Sequence, residues 1–329
     1  MFNPAISSAC LDLDRVVDDL VALRTISGAE DLLAPLNPLD RSDGRVTCRV
    51  LGTLRELRDV RLFSSLAVPL ADVGAVLRSA GRGVISALTS DAPLRFRIAP
   101  GTTDAGVLRI ALTAELGWIE GPSDWVVNFI ATAAGWEAEI GPFSWSRRFG
   151  RLERLPWSTK PVVGEILARL AKISPGQRIL DPCCGTGTLL IAAAHSVPGL
   201  TVLGSDHDPA AIRLADLNLT RCGVTASLAV AQAEQLDHPD HGIDRVLANL
   251  PFGKLVGSHA NNSRLYPALL SEIARVLHPA GRAVLLTDDK RLFLTAVART
   301  PNLKIVRTRV LRYSGVTPTV YILTKTRRR

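Results

Sequence analysis

Hydrophobic and polar positions follow a regular alternation of short apolar runs and amphipathic stretches in the second half of this chain. The runs predict strands at 178–181, 200–205, 226–231, 244–248 and 282–286. The amphipathic stretches between and around them predict helices at 161–172, 189–195, 209–222, 264–277 and from 290 onward. Strands and helices that alternate in this way form a doubly wound, mostly parallel sheet. Segments 304–313 and 319–324 are predicted to close the sheet as a terminal hairpin.

The first half follows a less regular pattern and predicts a smaller α+β module. We expect a strand, a turn and a helix within 45–61, and a helix over 70–80 that ends at two glycines. Strands are predicted at 93–98, 107–114, 125–133 and 137–140. Trp125, Trp136 and Trp145 are interpreted as packing residues. The expected domains are 1–145, a basic linker at 146–160, and a larger domain at 161–329.

Composition excludes several classes of protein. The chain has 329 residues, of which 47% are hydrophobic and 21% are charged, which is typical of globular domains. It has no uninterrupted apolar stretch of membrane-spanning length, and its first residues do not resemble a secretory signal. Its five cysteines form no CxxC pair, and its six histidines show no ligand spacing. We therefore expect a cytoplasmic protein with reduced thiols and no metal.

Charge is distributed unevenly. Residues 1–150 carry 15 arginines, no lysine and 18 acidic residues, whereas residues 151–329 carry 24 basic and 13 acidic residues. Basic clusters attract polyanions, so RNA is a candidate partner, although a solvated basic surface has the same composition. The candidate RNA-binding residues near the domain boundary are Arg147, Arg148, Arg151, Arg154 and Lys160.

The strongest motif is ILDPCCGTGTLLI at 179–191, where a strand ends and a helix begins. Gly185 and Gly187 allow the backbone to approach a ligand closely. Asp181 would repel a pyrophosphate but can accept a hydrogen bond from an ammonium group, and no phosphate-binding glycine pattern is present. These features favour S-adenosylmethionine as the cofactor, with Cys183 and Thr186 among its predicted contacts. Cys183 and Cys184 are interpreted as small residues that fit the turn, since a nucleophilic cysteine needs an activating partner.

Further cofactor contacts are predicted at the ends of the next two strands. Asp206 ends the second strand, where its carboxylate can accept from ribose hydroxyls, and His207 follows it. Asp208 is expected to cap the helix that begins at Pro209. Gln232 and Ala233 follow the third strand, where the amide oxygen of Gln232 can accept from the adenine amine.

The fourth strand ends in Asn249, Leu250, Pro251 and Phe252, a sequence that suits methylation of an aromatic amine. The lone pair of such an amine is delocalised into its ring. An asparagine oxygen and a backbone carbonyl can accept the two amine hydrogens, while the proline stiffens the turn and the phenylalanine stacks on an unstacked base. Asn249 also borders the cofactor. Asn-x-Pro occurs in ordinary turns as well, but its position after the glycine motif favours the catalytic interpretation.

Together, DPCCGTGT, GSDHDP, NLPFGK and the stretch through residue 288 resemble the THUMP-domain-containing guanosine N2-methyltransferases that act on tRNA. The resemblance implies a Rossmann-like class I methyltransferase domain, in which Asn249 and the Leu250 carbonyl hold the guanine amine and Phe252 stacks on the base. It implies RNA or loop contacts for three further residues, Lys254, Arg264 and Tyr266. The first half is similar to a reduced form of the family's ferredoxin-like and THUMP module.

The same residues leave other functions open. The motif does not distinguish tRNA from ribosomal RNA, whether in housekeeping or in drug resistance. Related motifs serve adenine and cytosine amines in RNA or DNA. A protein that binds the cofactor or RNA without catalysis is a further alternative, suggested by Gln232 and the reduced first half. The sequence alone does not indicate the oligomeric state.

Overall fold

The computed structural model describes residues 9–145, 152–252 and 259–326. The chain divides into two compact units, Met1–Arg151 and Leu152–Arg329. The predicted linker at 146–160 straddles this boundary, and its described part lies in the second unit. No helix in the described ranges is both long and apolar enough to cross a bilayer.

The described part of the N-terminal unit combines a large sheet, a two-stranded sheet and short helices. The large sheet has the order β3-β4-β2-β5-β10-β9-β7-β8, and β1 pairs with β6. The strands are β1 (Ala9–Leu11), β2 (Val16–Arg24), β3 (Asp40–Ser42), β4 (Arg45–Thr53), β5 (Ser65–Leu70), β6 (Leu88–Ser90), β7 (Arg95–Ile98), β8 (Ile119–Glu120), β9 (Val127–Thr132) and β10 (Gly135–Ile140). The α-helices are α1 (Arg55–Val60), α2 (Val73–Arg82) and α3 (Ala105–Ile110), with 3-10 turns at Glu30–Leu36, Val84–Ala87 and Gly141–Phe143.

The strand predicted at 107–114 is wrong, because this segment forms α3 and a π-helical turn at Ala111–Glu115. Val107 and Ile110 suggested a strand, yet both are exposed, whereas Leu108, Ala111 and Leu112 are buried at helical spacing. The sequence analysis also missed β2 and β5.

The helix predicted at 70–80 begins at Val73, because the Asp72 side chain caps it by accepting from the amide of Ala75 at 2.7 Å. The other strands predicted in this half are confirmed with shifted ends. Trp136 and Trp145 are buried, whereas Trp125 is half-buried, with the Arg97 guanidinium 4.9 Å from its ring centroid.

The C-terminal unit has the predicted doubly wound sheet. Its described residues form seven strands in the order β13-β12-β11-β14-β15-β17-β16. They are β11 (Arg178–Asp181), β12 (Thr201–Asp206), β13 (Ser227–Val230), β14 (Ile243–Asn249), β15 (Leu277–Thr287), β16 (Leu303–Val310) and β17 (Thr319–Lys325). The helices are α4 (Pro161–Ala171), α5 (Thr188–Ser196), α6 (Pro209–Arg221), α7 (His259–Val276) and α8 (Lys290–Arg299).

The strand directions place one edge of this sheet at the candidate site. Strands β11 to β15 pair in parallel, so the carboxyl ends of β11, β12 and β14 lie at the same edge. The terminal pair, β16 and β17, is antiparallel, which confirms the predicted hairpin. On one face, α7 and α8 bury an aromatic cluster in which Phe293 lies between Tyr266 and Tyr321, with centroids 6.0 and 4.4 Å away.

We expect Gly135→Ala to destabilise the N-terminal unit by about 2–4 kcal/mol, because the new side chain combines strain with a clash. Gly135 has φ of 124°, and a Cβ there would lie 2.4 Å from the carbonyl oxygen of Leu70. Urea unfolding followed by tryptophan fluorescence reports this unit, since four of the five tryptophans belong to it.

Gly81→Ala is the matched control, because Gly81 lies within α2 with open space at its Cβ position. A helix favours alanine over glycine by up to about 1 kcal/mol, so this variant should be at least as stable as wild type. Equal stability of the two variants would contradict the steric interpretation.

Candidate active site

The turn after β11 places a carboxylate in a buried position. Asp181 is only 1% exposed, and its Oδ1 accepts from the amide of Cys183 at 3.1 Å. Burial raises the pKa of Asp181 well above its usual value, and the nearby charge of Asp206 raises it further. No basic side chain in the described ranges pairs with it. The site therefore favours a ligand that brings a positive charge.

The two glycines of the turn have different functions. Gly185 has φ of 51°, and no atom lies within 4 Å of the position of a Cβ, so the backbone here faces open space. Gly187 has φ of 81° and precedes α5, where a Cβ would contact Ala215 and Leu219 of α6 at 3.4 Å. Gly185 thus leaves room for a ligand, while Gly187 supplies the left-handed backbone conformation from which α5 begins. Thr186 between them is buried.

Asp206 connects the second strand to the same turn. Its Oδ2 accepts from the amide of Gly185 at 2.9 Å, and its Oδ1 accepts from the amide of Asp208 at 3.1 Å. A carboxylate has further lone pairs, so Asp206 can still accept from ligand hydroxyls. Asp208 accepts from the amide of Ala210, which confirms its predicted capping function. His207 has a 66% exposed side chain and contacts Asp206 at 3.1 Å.

The loop after β13 adds an acid that the sequence analysis missed. Gln232 is exposed and Ala233 is buried, directly after the hydrogen bond from the amide of Ala231 to the carbonyl of Asp206. Glu234 lies close enough for its charge to contribute, after burial, Asp181 and Asp206, to the raised pKa of Cys183. Glu234 therefore adds a carboxylate to this edge of the sheet, two residues beyond Gln232.

Burial and the surrounding carboxylates disfavour the thiolate at both cysteines of the turn. Burial is the largest cause of the raised pKa values of Cys183 and Cys184, followed by the charges of Asp181 and Asp206. A nucleophilic cysteine needs the opposite environment. The interpretation of these residues as small members of the turn is consistent with this electrostatic setting.

Asn249 stands at the end of β14, opposite Leu286 of β15. Its Nδ2 donates to the Oγ1 of Thr159 at 2.9 Å, whereas its Oδ1 is buried with no hydrogen-bond partner. A buried acceptor without a partner costs free energy, so a native structure rarely keeps one unless water, an ion or a ligand satisfies it. The side-chain oxygen of Asn249 is therefore available to a donor that enters the site.

The rest of the NLPF motif is held by two side chains of α7. The carbonyl oxygen of Pro251 accepts from the Nδ2 of Asn262 at 2.8 Å and from the hydroxyl of Tyr266 at 2.7 Å. The Tyr266 hydroxyl also contacts Thr287 at 2.8 Å. Leu250 is buried, and Pro251 and Phe252 are half-buried.

The prediction of Tyr266 as an RNA or loop contact is wrong with respect to RNA. Tyr266 is fully buried, and its hydroxyl holds the motif from behind. The sequence analysis did not identify Asn262, because an asparagine within a helix has no motif to mark it. Both residues lie on the face of α7 that packs against the sheet, at a spacing of four.

Hydrogen bonds connect the segment before α4 to the turn after β11, which contains Thr186. Asn218 of α6 is fully buried, and its Nδ2 donates to the carbonyls of Glu153 and Thr186 at 2.9 and 3.0 Å. Its Oδ1 accepts from the amide of Glu153 at 2.8 Å. Ser158 contacts the hydroxyl of Thr186 at 3.0 Å. These polar contacts also escaped the sequence analysis, since none belongs to a recognisable motif.

The predicted RNA-binding residues are only partly described. Arg154 is exposed, and its guanidinium donates to the carbonyl of Ser158 at 2.9 Å. Lys160 is exposed, with its ammonium 5.8 Å from the ring centroid of Tyr313. Four further residues lie outside the described ranges, Arg147, Arg148, Arg151 and Lys254. No group of three metal-ligating side chains occurs in the part of the chain that the structure describes.

A comparison with known protein families finds a match within the C-terminal unit. Residues 156–318 match the family described as RMKL-like, methyltransferase domain. A tRNA (guanine(6)-N2)-methyltransferase of Thermus thermophilus is 35% identical over 182 residues, which are 55% of this chain and 53% of that protein. The U6 snRNA (guanine-N(2))-methyltransferase THUMPD2 of Mus musculus is 32% identical over 132 residues, which are 39% of this chain and 24% of that protein.

The crystal structure of TrmN from Thermus thermophilus has a TM-score of 0.71 and 27% identity, and the match covers 93% of this chain and 99% of that chain. The predicted methyltransferase fold with a preceding N-terminal domain is thereby confirmed. The aligned part spans about half or less of the curated relatives.

We expect the cysteines of the turn to resist alkylation by iodoacetamide at pH 8. Their raised pKa values leave little thiolate, so Cys183 and Cys184 should react at least roughly tenfold more slowly than the exposed Cys10. Cys48 should also be slow, because burial raises its pKa to about 11. Peptide mass spectrometry over a time course measures each rate.

In guanidinium chloride all five cysteines should react at similar rates, which provides the unfolded control. Fast modification of either turn cysteine in the folded protein would contradict the electrostatic description of this site.

Proposed function

We propose that the protein methylates the exocyclic N2 amine of a guanosine in tRNA, because residues 156–318 match the family described as RMKL-like, methyltransferase domain. S-adenosylmethionine is the methyl donor. The observation that carries this proposal is the buried, unpartnered oxygen of Asn249 at the end of β14, on the sheet edge that also holds Asp181 and Asp206.

The residues at the ends of β11 and β12 fit S-adenosylmethionine. The buried carboxylate of Asp181 suits the ammonium group of its methionine part, and the open space at Gly185 admits a ligand against the backbone. Asp206 suits the two ribose hydroxyls. When bound, this cofactor supplies an electrophilic methyl group attached to a sulfonium. The other proposed contacts of the cofactor are Cys183, Thr186, Gly187, His207, Gln232, Ala233 and Asn249.

The NLPF motif suits an amine whose lone pair must be directed. Asn249 Oδ1 and the carbonyl of Leu250 accept the two amine hydrogens, so the nitrogen lone pair points away from both acceptors. Phe252 supplies a flat surface for the base, and the Pro251 carbonyl is fixed by α7. The methylated nitrogen becomes acidic and releases its proton to water, so a strong general base is unnecessary.

The choice of tRNA rests on the relatives. The Thermus relative is named for a tRNA guanine, and the match to the TrmN structure from Thermus thermophilus extends over both units. The mouse relative is named for U6 snRNA, so a small nuclear RNA is a second candidate substrate, in addition to the ribosomal RNA that the sequence motif leaves open. We propose that the N-terminal unit is a reduced THUMP-like RNA-binding module and that the enzyme acts in the cytoplasm.

Basic residues of the C-terminal unit supply further RNA contacts in this proposal. Lys304 and Arg307 are exposed on the edge strand β16. The other proposed contacts are Arg147, Arg148, Arg151, Arg154, Lys160 and Lys254. Binding through such residues weakens as the salt concentration rises.

We expect Asp181→Asn to weaken binding of S-adenosylmethionine at least roughly tenfold at neutral pH, because it removes the charge that pairs with the ammonium group. The raised pKa of Asp181 means that wild-type affinity should fall as the pH decreases through that pKa, above the usual value of 3.8. The variant should lack this pH dependence. Isothermal titration calorimetry across the pH range measures both effects.

The same substitution should stabilise the ligand-free protein against unfolding at neutral pH. A carboxyl with a raised pKa favours the fold at low pH and loses that contribution as the pH rises through the folded-state pKa. Asparagine carries no such penalty and keeps an oxygen for the Cys183 amide. Unchanged affinity, or lower stability without ligand, would contradict the assigned function of Asp181.

Incubation of the protein with labelled S-adenosylmethionine and unmodified tRNA or ribosomal RNA, followed by nucleoside mass spectrometry, tests the activity. N2-methylguanosine in tRNA is the expected product. Asn249→Ala should lower the rate roughly 100-fold, the magnitude typical of a lost transition-state contact. Asp216→Ala, on the exposed side of α6, serves as the control and should leave the rate unchanged.

A product found in ribosomal RNA alone would exclude tRNA as the substrate but would still support methyl transfer to the guanosine N2 amine. Methyladenosine or methylcytidine would contradict the choice of guanine. Cofactor binding without any product would favour a binding protein without catalysis.

A further inference from the structure

We propose that Thr159 is a positioning residue, which anchors the side-chain amide of Asn249 through its nitrogen and leaves its oxygen facing the acceptor amine. This inference rests on the proposed function and deepens it. Thr159 does not belong to the NLPF motif, and it lies 90 positions before Asn249 in the sequence.

The two ends of an asparagine amide have nearly the same shape but opposite hydrogen-bonding properties. An oxygen toward the substrate accepts from the amine, whereas a flipped amide would place an N–H against an N–H. Thr159 Oγ1 accepts from Asn249 Nδ2 at 2.9 Å, and this leaves Oδ1 as the buried atom without a partner. The contact thus anchors the amide through its nitrogen and leaves its oxygen free to accept from an amine.

The chain on both sides of Thr159 is held in place by its neighbours. Ser158 accepts from the amide of Leu155 at 2.8 Å and contacts the hydroxyl of Thr186 at 3.0 Å. Arg154 donates to the carbonyl of Ser158 at 2.9 Å. Immediately after Thr159, the chain enters α4 at Pro161, whose ring fixes its own backbone angle. Thr159 is therefore located by the same contacts that fasten this segment to the cofactor turn.

The consequence is that Thr159 connects the two halves of the site. The segment that touches the glycine turn through Thr186 also sets the orientation of the residue that would hold the acceptor base. A residue with this function should affect the rate of methyl transfer and leave the affinity for the cofactor unchanged.

The test compares Thr159→Val, which keeps the shape but removes the hydroxyl, with Thr159→Ser, which keeps the hydroxyl. We expect the valine variant to lower kcat about three- to tenfold, the effect of one lost hydrogen bond, with an unchanged KM for S-adenosylmethionine. The serine variant should retain at least half of the wild-type kcat. Thr300→Val is the matched control, because it removes another buried hydroxyl, bonded to the Ala296 carbonyl of α8.

Several outcomes would overturn the inference. An unchanged kcat in Thr159→Val would do so, as would an equal loss in the serine variant. A raised KM for the cofactor with unchanged kcat would assign Thr159 to cofactor binding instead. If wild type methylates adenine or cytosine, the choice of guanine fails, but the comparison of variants still tests Thr159.

A measurement that needs no activity tests the contact itself. The side-chain amide signals of Asn249 in a 1H–15N NMR spectrum can be assigned by their absence in Asn249→Ala. We expect slow hydrogen exchange of this amide in wild type and Thr159→Ser, and fast exchange in Thr159→Val. Fast exchange in wild type would contradict the proposal even if no RNA substrate were found.

Discussion

Burial of the Asp181 carboxylate is the constraint on which the rest of the candidate site depends. An ionised group inside a protein is costly unless it is paired. Within the described ranges Asp181 accepts one hydrogen bond, from the Cys183 amide, while Asp206 adds a second negative charge nearby. The two carboxylates lie close together because the parallel sheet brings the ends of β11 and β12 to one edge. A cationic ligand group relieves the cost of burial, so stability without ligand and affinity for ligand are opposed at Asp181.

Hydrogen bonds between neutral polar groups then fix the segments that surround the carboxyl edge of the sheet. Asn218 joins α6 to the segment before α4, and Ser158 joins that segment to the cofactor turn. On the acceptor side, Asn262 and Tyr266 both donate to the single carbonyl of Pro251. Each connection is at least partly buried, and hydrogen bonds become stronger and unsatisfied groups more costly as water is excluded. The positions of the proposed reacting groups are thereby set by several independent elements.

The C-terminal fold could be predicted because its signals are local. Apolar runs, capping residues such as Asp208, and glycines at strand ends each specify an element without knowledge of the rest. The N-terminal half was harder: Val107 and Ile110 suggested a strand, although buried Leu108 and Leu112 make the segment helical. The functions of Thr159 and Asn262 could not be predicted for a different reason, because they depend on contacts with residues that are distant in the sequence. The predicted site residues belong to sequence motifs, whereas the residues that hold them in place through hydrogen bonds belong to none.

Net charge is a further property that the sequence describes incompletely, because the total charge of a segment differs from the charge that its surface exposes to solvent. The first 150 residues contain more acids than bases, which argues against an RNA-binding surface. Yet Glu137 is buried at 2% exposure and pairs with Arg24 and Arg45, whose side chains remain 55% and 40% exposed. Its negative charge is neutralised within the sheet, while the guanidinium groups stay accessible. The balance of charge along a chain therefore understates how basic the surface above such a buried acid is.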